Sequence, residues 1–123
     1  MRQWRVDGGG SIGIDITVRR IADSVTVVAV RGEIDSSNGE SLSDVLLGAL
    51  PETTRVIADF SAVTFCGSSG LRALLLASDA CVGCGSELLV VPSPVVRRAV
   101  EVCRLSPLVC LAAAEDTVTT LLS

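Results

Sequence analysis

From Ile12 to Val18 apolar residues alternate with Gly13, Asp15 and Thr17, and after the polar break Ala22-Asp23-Ser24 a β-branched run extends from Val25 to Val30. A period of two over these lengths predicts two strands. The period then changes. Leu42, Val45, Leu46, Ala49 and Leu50 recur at helical intervals behind Ser37-Asn38-Gly39-Glu40, which has capping-box spacing, and Pro51 closes the pattern. Val56 to Phe60 is a short apolar run suited to a strand buried on both faces. Leu71, Leu74, Leu75, Ala77 and Ala80 predict a second, largely buried helix that stops near Gly83-Cys84-Gly85. Leu88 to Val91 reads as a further strand, and Ser93-Pro94 caps a helix whose Val96, Val100 and Cys103 share one face. After Pro107 come a short apolar piece, Leu108 to Leu111, and a last small helix with Val118, Leu121 and Leu122.

Strand-strand-helix followed by alternating strands and helices predicts a single α/β domain over residues 12–123. Its sheet is expected to be mixed but mostly parallel and flanked by about four helices. Residues 1–11, with the Gly8-Gly9-Gly10-Ser11 stretch, read as a flexible leader or an arm that orders only against something else.

Composition narrows the chemistry. The 123-residue chain has no His, and all ten of its basic residues are Arg, so imidazole metal sites, Ser-His triads, Schiff bases and P-loop lysines are excluded. With a formal net charge of -4 and arginines scattered or in pairs, no basic face tracks a phosphate backbone, and nucleic acid is not an expected partner. No apolar run approaches the ~18 residues needed to span a bilayer, and no signal-peptide block opens the chain, so a cytoplasmic protein without a membrane partner is expected. In that compartment the five cysteines are reduced by default, and an odd count cannot pair completely.

In open α/β sheets, function gathers in loops beyond the carboxyl ends of the strands. Two such loops carry the candidate chemistry: Gly32-Glu33-Ile34-Asp35-Ser36 and Thr64-Phe65-Cys66-Gly67-Ser68-Ser69-Gly70. Ser68 and Ser69 stand where a helix begins and its first N–H groups lack partners, so one of them is expected to be the N-cap. A phosphate is tolerated at the same place. Capping alone is the plainer role, and a nucleophilic serine lacks any His or Lys to activate it. Glu33 and Asp35 can likewise be a solvated turn, with Asp35 or Ser36 entering the helix cap.

Gly32-Glu33-Ile34-Asp35, Asp59-Phe60-Ser61 and Phe65-Cys66-Gly67-Ser68-Ser69-Gly70-Leu71, followed by Ser93-Pro94 and Ser106-Pro107-Leu108, resemble the bacterial anti-sigma factor antagonists of the STAS domain class. The resemblance extends from Ile14 to Leu122. It implies a non-enzymatic partner switch without cofactor or metal, in which an anti-sigma factor with ATP-dependent serine kinase activity binds the unphosphorylated antagonist. The sigma factor is then freed, and phosphorylation ends the binding. The family's phosphorylated serine falls on Ser68, Asp35 matches the acid of the other partner-facing loop, and Ser69 and Gly70 match the rest of the turn. Asp35, Ser36, Gly67, Ser68, Ser69 and Gly70 are therefore the expected partner-binding residues. Gly67 departs from the family, where many members have Asp. That departure leaves a second reading, a STAS scaffold or ligand-binding module without phosphorylation.

Cys81-Val82-Gly83-Cys84 lies at the C-terminal end of a predicted helix, the wrong end to activate a thiolate. Cys66, Cys103 and Cys110 show no second CxxC spacing for a metal. Because Cys66 adjoins the serine loop, its pairing with Cys103 or Cys110 under oxidation is a possible means of redox control.

Overall fold

A computed structural model of the chain describes residues 3–6, 13–50 and 54–112. The elements are β1 (Gln3–Val6), β2 (Ile14–Ala22), β3 (Val25–Ile34), α1 (Gly39–Ala49), β4 (Arg55–Cys66), α2 (Ser68–Cys84), β5 (Glu87–Pro92) and α3 (Pro94–Val102). The strands form one sheet in the order β1-β2-β3-β4-β5.

The sheet is evenly mixed and not mostly parallel: β1-β2 and β2-β3 are antiparallel, β3-β4 and β4-β5 parallel. The cause is connection length. Asp23-Ser24 leaves room only for a hairpin between β2 and β3, whereas α1 and α2 supply the crossovers that parallel neighbours need. β1 adds the second antiparallel pair from within the segment read as a leader, ordered against β2.

The described residues hold three helices instead of about four, and the last small helix, expected with Val118, Leu121 and Leu122, lies outside them. The short apolar piece from Leu108 to Leu111 joins the sheet only through a single bridge between Val90 and Leu111.

All three helices feed one core. Leu42 and Leu46 of α1, Ala73, Leu74, Ala77 and Cys81 of α2, and Val96 of α3 join Ile16, Val28, Val30, Val56, Ala58 and Phe60 from one face of the sheet. The i, i+4 spacing on α1 and the period of two on the strands are what bring these side chains to one interface. The helix ends follow local chemistry. Ser93 Oγ accepts the Val96 N–H at 3.3 Å with Pro94 opening α3, and Gly85 in the left-handed region (φ 72°) ends α2 by donating to the Cys81 and Val82 carbonyls.

Candidate functional site

Ile34 and Cys66, the last residues of β3 and β4, are register partners, so the two loops leave the sheet side by side. The Gly67 N–H donates to the Ile34 carbonyl at 2.9 Å and fastens one loop to the other. Two bulges in the β3-β4 ladder set what faces outward: pairing skips from Ala29-Asp59 to Arg31-Ala62, then from Gly32-Val63 to Glu33-Phe65. Strict alternation from buried Val63 turns Phe65 inward; the second bulge instead leaves Phe65 50% exposed and Cys66 half-buried.

The capping box expected at Ser37 does not form. α1 starts one residue later, with Asn38 as N-cap and no side-chain cap bond, and Ser37 instead turns back to Asp35, whose Oδ1 accepts both its N–H and its hydroxyl. These two bonds, the hydroxyl's first, hold the Asp35 carboxyl below its usual pKa range. Asn38 is fully buried and staples the turn: its Oδ1 accepts the Asp35 N–H at 3.0 Å and its Nδ2 donates to the Glu33 carbonyl at 2.9 Å. The sequence reading missed Asn38. Its signal was an Asn three residues after an Asp in a turn entering a helix, where side-chain amides replace backbone partners. Asn38→Ala strands both backbone groups and is expected to lower stability by about 1–3 kcal/mol, measured by urea unfolding.

Neither serine is the N-cap of α2. Gly67 holds that position in extended backbone, so the helix has no side-chain cap, and Ser68 and Ser69 are its first two residues. One residue along a helix is a turn of about 100°, which sends the two hydroxyls in different directions. Ser68 is exposed, while Ser69 Oγ is shielded and unpartnered. It lies against Gly39, where a Cβ would sit 2.5 Å from Ser69 Cβ, so the starts of α1 and α2 abut through a glycine. Gly70 is buried in the same way, since a Cβ there would come 2.7 Å from Cys66 Sγ and 2.9 Å from Ile34 Cγ2. Asp35, Ser36, Gly67 and Ser68 thus reach the surface at one place, and Ser69 and Gly70 lie beneath it.

Cys66 sits under this surface, its thiol pushed up to about 11 by burial and, second, by the Cys103 thiolate. Burial, and then Cys84, also raises Cys81. Cys84, Cys103 and Cys110 are exposed. Iodoacetamide at neutral pH is expected to modify these three well ahead of Cys66 and Cys81, read by peptide mass mapping against time. Among the described residues no cluster of three or more His, Cys, Asp or Glu side chains is placed to hold a metal, and no helix is long and apolar enough to cross a membrane.

The STAS domain family model matches residues 17–120. No curated protein matches the sequence. Among solved structures, an anti-sigma factor antagonist from Mycobacterium paratuberculosis is 29% identical with a TM-score of 0.76, covering 89% of this chain and 93% of that one. The anti-sigma factor antagonist SpoIIAA in its unphosphorylated form is 22% identical (TM-score 0.68; 86% of this chain, 95% of that one). The Bacillus cell fate determinant SpoIIAA in the phosphorylated form is 21% identical (TM-score 0.65; 86% and 98%). At these lower identities the two SpoIIAA structures share the fold.

Proposed function

Because this chain belongs to the STAS domain family, we propose that it is an anti-sigma factor antagonist, a regulator and not an enzyme, acting in the cytoplasm. Unmodified, it docks through the Asp35 and Ser68 loops onto an anti-sigma factor with ATP-dependent serine kinase activity and releases the sigma factor. Phosphorylation of Ser68 ends the docking. One observation carries this reading: of the two adjacent serines only Ser68 is exposed, and it opens α2 next to the turn that presents Asp35 and Ser36.

A phosphate on Ser68 meets the uncapped first turn of α2, which contains no acidic residue, so the domain can carry the charge without rearranging. The neighbours point the same way: a 29% identical protein is an anti-sigma factor antagonist, and the shared fold exists in unphosphorylated and phosphorylated forms of SpoIIAA. Half-exposed Phe65 adds an apolar contact beside Ser68. Charge alone then switches the interface, because a partner surface shaped for a hydroxyl repels and fails to desolvate a dianion.

The second reading, a STAS scaffold that recruits partners without phosphorylation, draws on Gly67, which supplies no acid beside Ser68 to orient the hydroxyl or contact a kinase. One assay separates the two. Incubation with a cognate anti-sigma kinase and ATP is expected to add a single phosphate at Ser68, found by tandem mass spectrometry, and none to Ser68→Ala. A stable complex with no phosphate transferred supports the scaffold instead.

A further inference from the structure

The two faces of the sheet are unequal. The cluster on the face away from the main core, Val27, Ile57, Val91 and Ala112, contains no residue of the three helices. Strand alternation places Asp15, Thr17 and Arg19 of β2, Ala29 and Arg31 of β3, and Asp59 of β4 on that second face. Ala29 has Thr17 and Asp59 as its register partners on either side. A lone methyl is thus ringed by longer side chains, and the bulge after Asp59 leaves both Ser61 and Ala62 exposed at the rim. The result is a bowl of about 490 Å³, within the ~300–1,000 Å³ range of small-molecule sites.

Its polar groups are unevenly satisfied. Asp59 Oδ1 accepts the N–H and the hydroxyl of Ser61. Arg19, in contrast, is half-buried with its Nε shielded and without an acceptor. Arg31, across the bowl, also has no carboxylate partner among the described residues. Nε itself is closed to a ligand, but Arg19 and Arg31 both line the bowl, and the planar guanidinium fork matches the oxygens of a carboxylate or phosphate.

We propose that this bowl binds a small hydroxylated oxyanion, a polyol carrying one phosphate ester or carboxylate group. The oxyanion accepts from Arg19, and Arg31 adds attraction. The carboxylates of Asp15 and Asp59 oppose a second negative group, and the second oxygen of Asp59 accepts a hydrogen bond from a polyol hydroxyl. This site stands apart from the Ser68 surface and does not depend on the proposed partner switch.

The test is amide chemical-shift mapping of the full chain with glycerol 3-phosphate and gluconate as the two anionic arms, and with inorganic phosphate and neutral glucose as references. The expected result is saturable shifts at Thr17, Arg19, Ala29 and Ser61 with at least one of the hydroxylated anions, tighter than with either reference. Which arm binds distinguishes a phosphate ester from a carboxylate. Arg19→Met is expected to weaken binding roughly tenfold or more, and Ala29→Leu, which fills the bowl and keeps every charge, to abolish it. Absence of localised shifts with both anions at millimolar concentration, equal binding of glucose, shifts confined to the start of α2, or unchanged binding by Ala29→Leu would each overturn the proposal.

Discussion

Gly32→Ala is expected to lower the stability of the domain by on the order of 4 kcal/mol, seen as a shifted urea midpoint with an unchanged slope. Gly32 has φ +105°, a region L side chains rarely adopt, and a Cβ built there lies 2.0 Å from the Gly13 carbonyl oxygen and 3.1 Å from its carbon. Both are backbone atoms, so no rotamer change relieves the collision. The same carbonyl accepts the Glu33 N–H at 2.7 Å, and pushing the strands apart breaks that bond as well. Because Gly32 leads into the turn that presents Asp35, the substitution disturbs the docking surface along with the fold. Gly48→Ala is the matched control: nothing lies within 4 Å of its Cβ position, and it sits in helix α1. Replacing a glycine there is expected to stabilise by about 0.5–1 kcal/mol. Equal effects of the two substitutions contradict this account of the hairpin.

The two phenylalanines make a second contrast. Phe60→Ala is expected to cost about 3–5 kcal/mol, the range for emptying a well-packed aromatic site. Phe60 is 0% exposed, the largest fully buried side chain of the described core, and lies in the ladder opposite Pro92. It also lies within the bulge, where Phe60 and Ser61 together oppose Val30, so the cavity forms in the segment that leads to the serine loop. Phe65→Ala, at half exposure, is expected to change stability by less than ~0.5 kcal/mol. Paired calorimetric melts check both, and a Phe60→Ala melt matching that of the unaltered protein contradicts the placement.

Much of this architecture was legible because local signals and burial agree. The period of two before Val18, the i, i+4 leucines of α1, the Ser93-Pro94 cap and the glycine stop at Gly85 each express one rule without competition. The segment 3–6 was not legible: four residues before a glycine run carry too little pattern, and their strand exists only through pairing with β2. Ser37 read as a capping residue because spacing alone does not reveal that its side chain turns back to Asp35 and that Asn38 takes the N-cap position. The site was legible as two loops, since both end adjacent parallel strands. Which serine faces out was not, because it depends on Gly67 taking the N-cap so that α2 begins at Ser68, and on Ser69 packing against Gly39, a contact between residues far apart in sequence. The outward turn of Phe65 depends on a bulge, and a bulge leaves no mark in a hydrophobic pattern.

The central claim is that charge on the exposed hydroxyl of Ser68 decides whether the partner binds. It is tested most directly by titrating one anti-sigma kinase, calorimetrically and without ATP, into this protein unmodified and stoichiometrically phosphorylated at Ser68. The account predicts a tight complex with the unmodified form and affinity weaker by on the order of tenfold or more with the phosphorylated form. Equal affinity for the two contradicts it.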